Sequence, residues 1–132
     1  MFDFLLIILG LEAKIYPETF YQKYESPIRT IEILLKYPYF QKIHIGLRQC
    51  LLDPDHSIPT IATWQCLDHP IIQQNNAYYL VGFHPYIEDI GIQLRAKYPQ
   101  KPIVIIKNAI LTPPQGLNIN TLLSNQIELE LI

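Results

Sequence analysis

The sequence predicts a small α/β domain whose mostly parallel, Rossmann-like sheet is flanked by helices and ends in an alternating C-terminal edge strand. Two observations lead to this fold class. Apolar runs alternate along the chain with segments of helical periodicity, and two of those segments stop at the same Lys-Tyr-Pro tripeptide. Parallel strands need a crossover between them, so such alternation is typical of a parallel sheet. The 132 residues are expected to form one domain, 1–132.

The first strand–helix–strand unit is predicted in the N-terminal third. The apolar run "FLLIIL" (4–9) is interpreted as a buried strand, and "KIHIGL" (42–47) as a second one. Between them a helix is expected to open with Ser26 as its cap and Pro27 at its first position. It should end at Lys36-Tyr37-Pro38, because a residue before proline is pushed out of the helical region.

The second unit comprises "YYLVGF" (78–83), a helix opening at Pro85, and the β-branched run "PIVII" (102–106). The helix carries one apolar stripe and stops at a second Lys-Tyr-Pro. Glu88 and Asp89 are expected in its first turn, where the helix dipole favours negative charge. The stripe consists of Ile87, Ile90, Leu94 and Tyr98.

The remaining segments are less regular. Residues 49–77 hold three prolines and a polar "QQNN" turn, with one strand expected in "TIATWQCL" (60–67). "TPPQGLNIN" (112–120) is interpreted as a loop. The final "NQIELELI" (125–132) alternates apolar residues with glutamates, which indicates a half-buried strand at a sheet edge.

Composition restricts the classes of partner. Charged residues make up 17% of the chain, hydrophobic residues 49%, and the net charge is −2, which disfavours nucleic acid as a partner. No Lys or Arg occurs between Arg48 and Arg95. The apolar run near the N-terminus is too short to span a bilayer, so no membrane partner is expected. Two cysteines indicate no disulfide framework and favour a reducing, cytoplasmic location.

Two short segments, "CLLDPDHS" (50–57) and "CLDHP" (66–70), hold residue types that bind metals or act in catalysis. Their spacing matches no metal motif, and Asp-Pro and His-Pro steps are ordinary turn chemistry. No metal and no cofactor are therefore predicted, and no catalytic residue is assigned. The residues considered are Cys50, Asp53, Asp55, His56, Cys66, Asp68 and His69.

Five of the nine tyrosines fall within residues 16–39. Interleaved with basic residues, they could form a surface for a single nucleic-acid strand. Neighbouring glutamates cancel that charge, and tyrosine suits a core edge or a protein interface. The predicted interface residues are Tyr16, Tyr21, Tyr24, Tyr37 and Tyr39.

A ligand site is considered where His84 and Asn108 follow the two strands of the second unit. Ligands of open α/β sheets bind beyond the carboxyl ends of the strands, and these residues are expected to emerge there together. Asp68 and His69 are weighed as further ligand contacts. Carboxylates in the first turn of the helix make a neutral ligand a better match than a phosphate.

The leading functional hypothesis is a non-catalytic accessory or interaction subunit that binds a protein partner or forms a homo-oligomer. It depends on the missing catalytic motifs, the low charge and the tyrosine-rich N-terminal third. The alternative is a small-ligand-binding or enzymatic Rossmann-like domain with a site around His84 and Asn108. Fold-level likeness does not decide between them.

Overall fold

The computed structural model describes residues 4–12, 17–53, 55, 57–62, 68–111 and 116–131. These residues form an α/β domain whose sheet has six strands, all parallel to their neighbours. In chain order the elements are β1 (Phe4–Leu9), α1 (Glu18–Lys23), α2 (Glu25–Leu35), β2 (Phe40–Ile45), β3 (Thr60–Ile61), α3 (Pro70–Gln74), β4 (Ala77–Phe83), α4 (His84–Lys97), β5 (Ile103–Leu111), α5 (Ile119–Ser124) and β6 (Glu128–Glu130).

The strand order β3-β2-β1-β4-β5-β6 is that of a Rossmann-like fold. The chain runs outward from β1 through β2 to β3, then returns to the other side of β1 as β4. Helix α2 buries its apolar stripe on one face of the sheet, while α3, α4 and α5 pack on the other. Among the described helices, none has both the length and the apolarity needed to cross a membrane.

Both strand–helix–strand units are confirmed. Helix α2 ends at Leu35, directly before its Lys-Tyr-Pro tripeptide, and α4 ends at Lys97, the first residue of the other, so both stop where expected. The α4 stripe is buried as predicted, with Tyr98 packed at its end. Strand β6 lies at the sheet edge with Leu129 against the core and its two glutamates exposed.

Two helix starts were predicted wrongly. Ser26 is not a cap, because α2 begins at Glu25 and Ser26 lies inside it, where its carbonyl accepts a bond from Thr30. Helix α4 begins at His84, one residue before the expected Pro85. Glu88 and Asp89 therefore fall in the second turn, and the first turn holds no acidic residue.

Other differences concern short elements and one irregularity. Helices α1, α3 and α5 were not predicted, since five or six residues carry too little periodicity to be distinguished from loop. Strand β3 covers only Thr60–Ile61 of the predicted 60–67, and residues 63–67 lie outside the described part of the chain. Strand β5 continues beyond the predicted run to Leu111, and its register against β4 shifts between Leu80 and Gly82.

Candidate functional site

A cavity of about 310 Å³ opens at the carboxyl ends of β1 and β2, beside the first turns of α4. In an open parallel sheet this is where the crossovers diverge and where ligands bind. Buried Leu9, Ile45 and Ile90 lie at its floor, and Leu47 and Tyr86 are exposed at its rim. We call it the switch-point cavity; its lining is Leu9, Gly10, Glu12, Ile45, Gly46, Leu47, Tyr86 and Ile90.

Gly10 makes the turn out of β1. Its φ of +74° is in the left-handed region that glycine adopts without strain. An added Cβ would lie 2.8 Å from Cδ2 and 2.9 Å from Cε2 of Tyr86, so the tyrosine ring sits directly on this glycine. A side chain at Gly10 would therefore displace the aromatic wall of the cavity.

The segment after Gly10 brings a carboxylate to the cavity. Leu11 accepts a 2.6 Å bond from the amide of Leu51, and Glu12 forms an antiparallel bridge with Cys50. This bridge holds Glu12 across the end of β2, where its Oε1 accepts a 2.8 Å bond from the amide of Leu47. Among the described residues, Oε2 of Glu12 has no hydrogen-bond partner.

A histidine lies behind the cavity. His44 is fully buried in β2, and its Cε1 is 2.9 Å from a Cβ placed on Gly46. Burial lowers the pKa of His44 to about 4, opposed by the charge of Glu12 and the Arg48 carbonyl. Its Nδ1 lies 3.3 Å from the Thr60 hydroxyl, while Nε2 has no hydrogen bond of normal geometry. The imidazole is therefore neutral at physiological pH.

His84 does not line the switch-point cavity. Its Nε2 is 3.1 Å from Oε1 of Glu88, an ion-pair distance, although neither ring nitrogen meets the angles of a hydrogen bond. The same Glu88 oxygen accepts from the amide of Asn118, which is the N-cap of α5. His84 and Glu88 thus lie where α4 meets the start of α5.

Of the other three predicted ligand residues, two lie away from His84, and Asn108 differs from the prediction in its position along its strand. The expectation that Asn108 follows its strand is wrong, because Asn108 lies inside β5 at the register shift. Asp68 forms a salt bridge with Lys97 near the end of α4. His69 caps α3, its Nδ1 accepting a 3.2 Å bond from the amide of Ile71. Both lie near the amino ends of the strands, where β4 begins, so a role for them in ligand binding stays a prediction.

Among the described residues considered for metal binding, Asp53, Asp68 and His69 bind other groups. Asp53 is buried and accepts bonds from the amide and hydroxyl of Ser57 and the amide of Ile58, which closes a turn. Burial raises the pKa of the Cys50 thiol to about 11. His56 and Cys66 lie outside the described residues. Within the part of the chain that the structure describes, no three His, Cys, Asp or Glu side chains are grouped to hold a metal.

The predicted interface tyrosines divide between the two ends of the domain. Tyr24 packs against Phe83 at the carboxyl end of β4, with ring centroids 6.4 Å apart. Tyr37 and Tyr39 lie at the opposite end, beyond α2, and Tyr39 is 71% exposed. Tyr21 is exposed on α1, and Tyr16 lies outside the described residues. The four described tyrosines do not form one surface.

A second concavity, of about 540 Å³, lies between the start of β2 and the loop that follows Leu52. Its buried carboxylate, Asp53, already binds the loop, and the neighbouring Asp55 is exposed. This concavity lies away from the carboxyl ends of the strands and is more open to solvent, so it is the weaker candidate.

The predicted site also lay at the carboxyl ends of the strands, but beyond β4 and β5, and it did not include Glu12, Tyr86 or the two lining glycines. Gly10 directly follows the first apolar run and Gly46 the second, so both stand at the carboxyl ends of neighbouring parallel strands. That pairing was the available signal. Glu12 carried none, because its position depends on the bridge to Cys50.

The fold and this cavity define the class: a Rossmann-like α/β domain with an open crevice at its switch point. Comparisons with protein-family models, with curated proteins and with solved structures each returned no match.

Proposed function

We propose that this domain binds a small organic ligand in the switch-point cavity. The observation that carries the proposal is the position of the cavity: it lies at the carboxyl ends of β1 and β2 and against the first turns of α4, the helix that follows β4, and therefore beside the point where this topology places its ligands. Its volume is at the lower end of the roughly 300–1,000 Å³ of known ligand pockets. A cavity of about 150 Å³ accepts benzene, so this one suits a ligand of one or two rings.

The lining supports binding of a ligand. It combines an apolar floor with one carboxylate and one tyrosine, a mixture typical of small-molecule sites. His44 is the nearest further titratable group, and it lies behind the glycine wall. The predicted cytoplasmic location agrees with a buried, unpaired Cys50 and stays a prediction.

A fragment screen by protein-observed NMR on the full chain tests this function. Hits should shift the amides of Gly10 and Gly46. Leu47→Trp, at the exposed rim, should abolish those shifts by occupying the mouth. Leu123→Trp is the matched control, since Leu123 is exposed on α5 away from the cavity. Hits that avoid the two glycines, or that survive Leu47→Trp, would contradict the proposal.

A second candidate function is self-association through the aromatic residues at the amino ends of the strands. Phe4, Tyr37 and Tyr39 are exposed there, and their rings continue into Phe40 and Tyr79. Exposed aromatic groups of this kind favour a protein interface, here with a second copy of the chain.

Sedimentation velocity between about 5 and 200 μM tests the second candidate, a range that brackets micromolar affinities. Wild type should form a dimer that Tyr37→Ser with Tyr39→Ser removes and Tyr21→Ser does not. A monomer at every concentration would refute it.

A further inference from the structure

The switch-point cavity has one charged residue in its lining, and that charge is negative. Of its eight lining residues, only Glu12 carries a charge, and none is Lys, Arg or His. His44, behind Gly46, is held neutral by burial. A ligand that enters this apolar space meets one carboxylate with an oxygen that, within the described residues, accepts no hydrogen bond.

The backbone at the mouth of the cavity offers no cradle for an anion. The amide of Gly10 bonds to the Ile45 carbonyl at 3.0 Å, and that of Gly46 to the Ile61 carbonyl at 3.0 Å. The amide of Leu47 is already bonded to Glu12. Phosphate sites in this type of fold depend on free amides at this turn, and these three are occupied.

The first turn of α4 is the remaining source of positive potential. It has no acidic residue and no side-chain cap, so Glu88 and Asp89 no longer argue against an anion there. The argument against an anion comes from Glu12 instead, since it is the charged group inside the cavity.

The cavity also has an aromatic wall. The Tyr86 ring is fixed against Gly10 and lies in the same lining as Glu12. A carboxylate acceptor and an aromatic ring in one small apolar space are the elements that recognise an organic cation.

Building on the proposed function, we infer that the ligand is a small organic amine, bound as its ammonium ion. The ammonium donates to Oε2 of Glu12 and lies against the ring of Tyr86, and the carbon skeleton occupies the apolar floor. Phosphorylated and carboxylate ligands are excluded by the same carboxylate and by the occupied amides.

Benzylammonium, benzyl alcohol and benzoate test this inference, because they share one ring and differ in charge. Titrations followed by NMR on the full chain should give affinities in the order ammonium, alcohol, benzoate, with shifts at Gly10 and Gly46. Glu12→Gln should weaken benzylammonium by about tenfold or more and leave benzyl alcohol within about twofold, as expected for loss of a charge-assisted bond. Its amide oxygen can still accept from Leu47, which preserves the local fold.

Asp89→Asn is the matched control, since Asp89 is an exposed carboxylate on α4 outside the lining. It should leave all three affinities unchanged. Tyr86→Leu should weaken benzylammonium by about two- to fivefold and Tyr86→Phe should not, as a cation–π contact requires only the ring.

Equal binding of alcohol and ammonium, tighter binding of benzoate, or an unaltered affinity in Glu12→Gln would overturn the amine assignment. Each of these results keeps a ligand in the cavity, so the proposed function would stand. Absence of all three probes from Gly10 and Gly46 overturns the amine assignment, and the fragment screen then decides the proposed function separately.

Discussion

Gly82→Ala should be among the most damaging single-methyl additions in this domain. Gly82 pairs with Leu9 where β1 and β4 diverge, and its φ is +117°. A Cβ there would lie 2.3 Å from the carbonyl oxygen, 2.8 Å from the amide nitrogen and 3.0 Å from the carbonyl carbon of Leu9. The obstructing atoms are backbone, so no side-chain rotation relieves the overlap.

The cost has two parts. A non-glycine residue at such a φ stores about 1–3 kcal/mol of backbone strain. Overpacking a well-packed interior adds about 1–3 kcal/mol. The sum, about 4 kcal/mol, is a large share of the roughly 5–15 kcal/mol that stabilises a domain of this size. Since Leu9 also lines the switch-point cavity, any shift of β1 that admits the methyl group would distort the site.

Equilibrium urea denaturation measures this cost, with Gly116→Ala as the matched control. Gly116 also has a positive φ, +69°, but nothing lies within 4 Å of its Cβ position. Both variants lose the same glycine entropy in the unfolded chain, so their difference isolates the clash with Leu9. With an m-value near 2 kcal/mol per M, Gly82→Ala should lower the midpoint by about 2 M. A cost within about 1 kcal/mol of the control would refute the reasoning, because that is the least an overpacking clash contributes.

Three further predictions concern stability and reactivity. His44 is neutral when folded, with a pKa of about 4 against 6.5 in the unfolded chain. The unfolded state therefore binds the extra proton first as pH falls, and stability present above pH 6.5 is lost towards pH 4. Urea denaturation of His44→Asn should show a loss of unfolding free energy between pH 6.5 and pH 4 that is smaller than in wild type by up to about 3 kcal/mol, and parallel pH profiles of the two proteins would contradict this. Burial raises the pKa of Cys50 to about 11. In the Cys66→Ser variant, Cys50 should therefore react with a thiol reagent at pH 8 at least about 100-fold more slowly than a free thiol compound does, and comparable rates would argue against burial. Arg95 donates to five backbone carbonyls, so Arg95→Lys should cost about 2–3 kcal/mol by thermal denaturation. The same change at exposed Arg29, which pairs with Glu25, should cost under about 0.5 kcal/mol of unfolding free energy. Equal costs at positions 95 and 29 would refute this reasoning.

The layer architecture was predictable because it depends on local signals that agree with one another. The side chains of the apolar run Phe4–Leu9 alternate between two faces, and they leave water only if both faces of the strand are covered. A parallel sheet with helices on each side provides that cover. The Tyr-Pro steps at the ends of α2 and α4 act through proline sterics alone. These features require no knowledge of distant contacts.

The start of α4 shows why boundaries were harder. Pro85 is well suited to a first helical position, but a second position tolerates it equally, since neither position needs an amide bond. Because α4 begins one residue earlier than predicted, Glu88 lies outside its first turn. Its carboxylate instead lies beside His84 and accepts from the amide of Asn118, the N-cap of α5. The functional interpretation of that turn changed with it.

The edge of the sheet where a ligand is expected to bind could be predicted, but the residues that line the cavity could not. Parallel topology alone brings the ends of β1, β2 and β4 to one edge, and that much follows from the pattern. Tyr86 lines the cavity because its ring packs on Gly10, which lies 76 positions earlier in the chain (86 − 10). Contacts of that sequence separation leave no local trace in a single chain.

Topology and connection have separate effects on this site. The order of β1, β2 and β4 creates the crevice, whatever residues surround it. The segment that follows β1 then determines the charge of the ligand that the crevice is suited to bind. It does not pass directly into a helix with free amides; Leu11 and Glu12 first pair with the Cys50–Leu51 segment. That pairing puts the Glu12 carboxylate at the end of β2, where it accepts the amide of Leu47, while the amides of Gly10 and Gly46 bond to carbonyls of the neighbouring strands. A fold often associated with phosphate therefore has a carboxylate at this position, as the proposed ammonium ligand requires.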